Sequence, residues 1–219
     1  MNGMSQEKQF SMVEPNRKLG YLLSKRAFDM TVSLAGMTLL LPVFLAVAIA
    51  IKVEDPKGRV FYTAPRGGKH GVPFPCYKFR SMYANADEIK AALMSKNEMQ
   101  GPVFKIKKDP RITKVGSFIR KTSMDELPQL MNVLQGHISL VGPRPLPIAE
   151  ARAVPPQYKV REMVQPGITC IWQTSGRNEV DFDEWMEMDL EYIRRQNFSF
   201  DLKQLLKTIP AVLKSKGAS

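Results

Sequence analysis

Gly116–Pro145 reads GSFIRKTSMDELPQLMNVLQGHISLVGPRP, and a helix start, a hydrophobic run and a Pro-Arg-Pro clamp all fall within it. An adjacent carboxylate pair, Asp125 and Glu126, lies between Arg120 and Arg144. Carboxylates hold Mg²⁺ or act as nucleophiles, and arginine forks grip phosphate, so the block suggests phosphoryl chemistry. The plain alternative is structural. Ser123 followed by Glu126 has the spacing of a capping box, and acids in a first helical turn suit the helix dipole. Three features weigh against it. Arg120 and Lys121 give the acids a basic setting. Pro143 and Pro145 stiffen the backbone around Arg144. An apolar segment upstream brings a lipid substrate within reach. On this reading Asp125, at a helix N-terminus beside a cation, stays ionised at neutral pH.

That apolar segment is Met30–Ile51, 22 residues without a charge. As a straight helix it measures about 33 Å, enough to span a bilayer. Pro42 near its middle kinks it, and the first arm alone reaches only about 18 Å. Arg17, Lys18, Lys25 and Arg26 precede the segment and Lys52, Lys57 and Arg59 follow it. Basic flanks on both sides favour a hairpin that dips into one leaflet and returns, with Pro42 at the break. A bitopic helix with a tolerated proline remains equally open on these residues. A signal peptide fits poorly, because the charged leader and the apolar run are both too long.

The chain has 219 residues, enough for one domain with appendages, and its formal net charge of +11 calls for an anionic partner. Its two cysteines, Cys76 and Cys170, lack C-x-x-C spacing, so they read as buried reduced thiols. The two histidines, His70 and His137, stand alone and read as surface or loop residues. Residues 1–20 form a polar tail, 21–53 the membrane hairpin and 54–219 a cytoplasmic catalytic domain. Within that domain 54–58 is a turn, and 60–62, 75–79 and 139–141 are short strands. The intervening 66–71, RGGKHG, reads as a hairpin connection ahead of a phosphate cradle. Residues 85–99 look helical with a solvated face. Residues 181–196 have acids at the start and Arg194-Arg195 at the end, matching the macrodipole of a helix. Leu202, Leu205, Leu206, Ile209 and Leu213 share a helical stripe flanked by lysines. It suits an anionic membrane surface, or packing on the protein's own core. The fold class is therefore mixed α/β: a small membrane-associated domain with short strands, amphipathic surface helices and an N-terminal re-entrant hairpin.

An ordered series of motifs carries a resemblance. It comprises KRAFD (25–29), the proline-broken segment, R-x-G-x-x-G-x-x-F (66–74), YKFRSM (77–82), DPRIT (109–113), SMDELPQL (123–130), SLVGPRP (139–145), QPGIT (165–169) and WQTSGRN (172–178). Together they resemble the monotopic phosphoglycosyl transferases, the bacterial sugar transferase family, from Lys25 to about Gly217. The resemblance implies transfer of a sugar 1-phosphate from a UDP-sugar to a polyprenol (undecaprenyl) phosphate, with UMP released and Mg²⁺ as cofactor. It implies Asp125 as nucleophile, Glu126 as its dyad partner, and both as the Mg²⁺ ligands. Lys78, Arg80, Arg120, Pro143, Arg144 and Arg177 fall at substrate-binding positions. It also favours re-entry, on the cytoplasmic face of a bacterial inner membrane, and is compatible with a homodimer. WQTSGRN leans weakly towards galactose or glucose. Leu41 replaces a serine common before the breaking proline, and Cys170 replaces a glycine, with strain expected if that position needs a positive φ. The chain looks like a minimal member carrying only the catalytic domain. The rival reading is a non-catalytic, membrane-anchored basic protein that binds anionic lipid. It leaves the motif series unexplained. Nucleic-acid binding explains only the charge, and no nucleic-acid motif is present.

Overall fold

The computed structural model describes residues 13–86, 109–175 and 180–213. Helices α1 (Leu19–Leu39) and α2 (Leu41–Glu54) bend by 60° at Leu40. Pro42 falls in the first turn of α2, where a missing N–H removes no helical hydrogen bond, so the proline starts a helix there. No single described helix is long and apolar enough to cross a membrane; the bent pair together has the length and composition.

Helix α1 is polar on the inside. Its four buried residues, Tyr21, Lys25, Asp29 and Ser33, recur every fourth position and face the protein body. Leu23, Leu34 and Leu39 on the other faces are 61%, 61% and 78% exposed. The KRAFD motif docks this inner face. Lys25 Nζ meets Asp201 Oδ2 at 2.8 Å and the Val141 carbonyl at 3.1 Å. Arg26 donates to the carbonyls of Val133 and Leu134, and Asp29 accepts from the Leu140 N–H.

Strands β1 (Phe61–Gly67) and β2 (Pro73–Phe79) form an antiparallel ribbon in register from Phe61↔Phe79 to Gly67↔Pro73. Both exceed the expected strands, and the 66–71 loop is indeed a hairpin connection, with His70 in the left-handed region. Helix α3 (Lys114–Lys121) follows, capped by Thr113 Oγ1 on the Gly116 N–H. Both Glu54 carboxylate oxygens accept from its first N–H groups, tying α2 to α3. A 3₁₀ turn, Met124–Glu126, leads into α4 (Gln129–Leu134) and strand β3 (Ser139–Val141). A return through α5 (Ile148–Ala153) and a 3₁₀ stretch (Pro156–Met163) brings β4 (Gly167–Thr169) parallel to β3. Gly142 and Gly167 lie so close that a Cβ on Gly167 would stand 2.1 Å from the Gly142 amide nitrogen.

Helices α6 (Ile171–Ser175), α7 (Phe182–Arg195) and α8 (Phe198–Leu213) close the body. Asp181 caps α7 through the Glu184 N–H, and the helix carries the expected acids in its first turn and arginines in its last. Trp185, Met186, Leu190 and Ile193 of α7 are buried, each contributing about 1.5–3 kcal/mol of burial free energy. Helix α8 resolves both readings of its stripe. Leu205 packs on the core, while Leu202, Leu206 and Ile209 are exposed. Both cysteines are free and buried. Cys170 is absent from the positive-φ residues, so the strain expected there does not arise. The helix expected over 85–99 lies outside the described residues from 87 onward.

Candidate active site

Three separate pieces of chain bring the charged residues together. Helix α3 ends at Lys121, and Ser123 turns the chain with φ 57°, a left-handed conformation that costs a non-glycine residue about 1–3 kcal/mol. Ser123 makes no side-chain capping bond, so the capping box is absent. Freed from that duty, the Glu126 carboxylate turns to two cations. Its Oε1 accepts from Lys78 Nζ at 2.7 Å and from Arg144 Nη2 at 2.8 Å. Strand β2 supplies Lys78, and the turn after β3 supplies Arg144. Pro143 is buried, and its carbonyl accepts from the Gly167 N–H at 2.9 Å, which pins the turn to β4.

Asp125 is 9% exposed. Its nearest cation is Lys78, 3.7 Å from Oδ2, and among the described residues its carboxylate accepts no hydrogen bond. The two acids are therefore unlike. Burial pushes the Asp125 carboxyl up, the Lys78 charge opposes this, and the adjacent Glu126 adds to it. Burial also acts on Glu126, but Arg144 and Lys78 outweigh it and hold that carboxyl far below the usual range. Burial is the largest influence on the Asp125 carboxyl, and the turn that holds it spans only three residues, too short for a helix dipole to set its charge. Arg120, half-buried in the last turn of α3, is close enough for its charge to draw Asp125 back down.

Arg80 departs from its expected place. It donates to Asp55 Oδ2 at 2.8 Å and to the Asp55 carbonyl at 3.0 Å. A Cβ on Gly58 would coincide with its guanidinium, at 1.0 Å from Nη1. Arg80 holds the turn after α2 and is spent there, leaving Lys78 as the cation of YKFRSM at the dyad. Arg177 lies outside the described residues.

Sequence reasoning missed the support behind Arg144. Arg161 donates through Nη2 to the Arg144 carbonyl at 2.7 Å and through Nε to Asp189 Oδ2 at 2.8 Å. The Arg144 guanidinium carbon lies 5.8 Å from the Trp172 ring centre, and Trp172 stacks on Trp185 at 4.5 Å. The available signal was Asp189 itself, an acid in phase with Met186, Leu190 and Ile193 on the core face of α7.

Among the described residues no group of three or more His, Cys, Asp or Glu gathers to hold a metal ion. The dyad still suits Mg²⁺, a hard cation often bound by one or two carboxylates plus substrate phosphates and water.

Buried acids under a ring of fixed cations define a site for an anionic, phosphate-bearing substrate. The family described as bacterial sugar transferase matches residues 20–215, and the chain belongs to it. It is 43% identical over 198 residues to the undecaprenyl-phosphate galactose phosphotransferase of Salmonella typhimurium, covering 89% of this chain and 41% of that protein. It is 40% identical to the UDP-glucose:undecaprenyl-phosphate glucose-1-phosphate transferase of Escherichia coli, over 85% of this chain and 39% of that protein. It is 38% identical to the exopolysaccharide production protein ExoY of Sinorhizobium fredii, over 90% of this chain and 88% of that protein. The chain thus spans less than half the length of the first two relatives and most of the third.

Proposed function

We propose that this protein transfers a sugar 1-phosphate from a UDP-sugar to a polyprenol phosphate at the cytoplasmic face of a bacterial membrane. One observation carries the reading: among the described residues Asp125 accepts no hydrogen bond and has Lys78 3.7 Å away, beside a glutamate already satisfied by two cations. A carboxylate that its neighbours leave uncommitted in a basic pocket is open to an incoming electrophile or cation. In the first step an Asp125 oxygen attacks the phosphorus that bears the sugar. An O–P bond forms, the bridging P–O bond breaks, and UMP leaves with the bridging oxygen. In the second step a phosphate oxygen of the polyprenol phosphate attacks the same phosphorus and returns Asp125 to its carboxylate.

The remaining residues hold and shield. Lys78 and Arg120 keep Asp125 deprotonated enough to attack. Glu126 fixes the Lys78 ammonium and the Arg144 fork, which then face the phosphate oxygens without reorganising. Mg²⁺, held by Asp125 and Glu126 with substrate phosphate oxygens, supplies further neutralisation of phosphate charge when bound. The exposed apolar faces of α1 and α2, with Leu202, Leu206 and Ile209 of α8, support a membrane seat that brings the lipid to the dyad. The 60° bend and the basic flanks support a re-entrant path. The relatives' names make galactose and glucose the first donors to try.

The test is UMP release from a panel of UDP-sugars with undecaprenyl phosphate and Mg²⁺ in detergent, together with Asp125→Asn. Release from one donor, lost in the variant while the protein stays folded, supports the mechanism. Robust turnover by the variant removes Asp125 as nucleophile.

A further inference from the structure

Arg66, at the end of β1, is a second guanidinium beside the Pro-Arg-Pro turn. Its backbone bridges to Pro147, the Gly67 N–H donates to the Leu146 carbonyl at 2.9 Å, and its Nη1 reaches the Pro145 carbonyl at 3.3 Å. The hairpin is therefore stitched to the segment that carries Arg144. That 3.3 Å contact is the only hydrogen bond of the Arg66 side chain among the described residues, although a guanidinium has five donors. Burial pushes its pKa down, and the neighbouring Arg144 charge adds to that, with the Glu126 and Glu150 charges in opposition.

Two arginines held close together repel one another, and the Arg66 donors with no protein partner among the described residues are open to an incoming ligand. Glu126 is already committed to Lys78 and Arg144. Lys78 and Arg144 contact the dyad, and the charges of Arg66 and Arg120 act on it, so positive charge is in excess around Asp125 and Glu126. A ligand with several phosphate oxygens relieves both the repulsion and the empty donors; a neutral sugar or a lipid tail relieves neither. We propose that Arg66 binds the diphosphate of the donor, its fork contacting phosphate oxygens alongside Arg144. This assignment rests on the transferase reading for the identity of the diphosphate, and on the unfilled fork alone for its phosphate chemistry.

The experiment measures the binding of inorganic pyrophosphate and of UDP to the full chain in detergent, by calorimetry, for wild type and Arg66→Gln. Loss of a charge-assisted, forked contact is expected to weaken both by about 10- to 100-fold, with the melting temperature of the free protein unchanged. KM for the UDP-sugar should rise by a similar factor, with kcat changed less. Should the glutamine variant not fold, Arg66→Lys is read the same way, with an expected loss of about 3- to 10-fold. Pyrophosphate affinity equal to wild type in a folded variant overturns the proposal. Arg66-dependent pyrophosphate binding in a wild-type protein that turns over no UDP-sugar keeps the phosphate contact and overturns the transferase reading.

Discussion

Removing Asp189 should unfold the support of Arg144 at a predictable cost. The Asp189 and Arg161 side chains are 2% and 5% exposed, and their N···O distance is 2.8 Å. Asp189→Leu leaves a guanidinium buried without its counter-ion, a change that costs about 3–5 kcal/mol. At about 2–4 °C per kcal/mol for a chain of this size, the melting temperature should fall by roughly 6–20 °C. Arg161→Met should cost a similar amount, since it strands the carboxylate and also orphans the Arg144 carbonyl. The double variant replaces both charges with apolar groups. It should recover all but the unsatisfied carbonyl, about 1–3 kcal/mol. Urea unfolding in detergent, followed by the fluorescence of the stacked Trp172 and Trp185, reads all three. A single-variant cost under about 1 kcal/mol, or a double variant whose loss equals the sum of the singles, would refute the reasoning.

Asp125→Asn should stabilise the protein at neutral pH. A carboxyl raised by folding binds more protons in the native state, so its contribution is full below the unfolded value and is lost as pH rises through the folded one. The melting-temperature gain should therefore vanish in acid; a gain that persists there would contradict the sign. Lys78→Met removes the charge that lowers Asp125, so the acidic limb of the kcat/KM profile should move to higher pH. An unmoved limb would separate Lys78 from the ionisation of Asp125. Gly167→Ala forces a Cβ into the Gly142 amide and should cost at least about 1–3 kcal/mol in chemical unfolding; wild-type stability would mean that β3 and β4 separate easily. Pro42→Ala should let α1 and α2 merge, moving the N-terminal end to the opposite side of the membrane in cysteine-labelling experiments. An unchanged labelling pattern would show that the docking of α1 sets the bend instead.

Local chemistry was legible in the sequence, and reach across the chain was not. The acid-to-base gradient over 181–196 gave α7 nearly to the residue, because dipole effects act within a turn of each helix end. The dyad stood out through Asp125 and Glu126 themselves. The capping-box reading of Ser123 failed because the competing partners of Glu126, Lys78 and Arg144, sit 48 and 18 positions away. Arg80 misled for the same reason: Asp55, its actual partner, shares no local pattern with it. The KRAFD motif could be recognised but not explained, since each of its charged residues finds its partner more than 100 positions downstream.

That last separation has a consequence for biosynthesis. Lys25 waits for Asp201, 176 residues later. At about 5–20 residues per second the ribosome takes roughly 9–35 s to supply it. Throughout that interval the apolar faces of α1 and α2 are available, while Tyr21 and the Lys25 ammonium lack the Asp201 carboxylate that joins them in the finished fold. The helix pair is therefore complete, with its apolar faces open, well before the last of its docking partners is made. Messages cut short before codon 201 would yield a protein whose bent helix pair is complete and whose seam at Asp201 stays open.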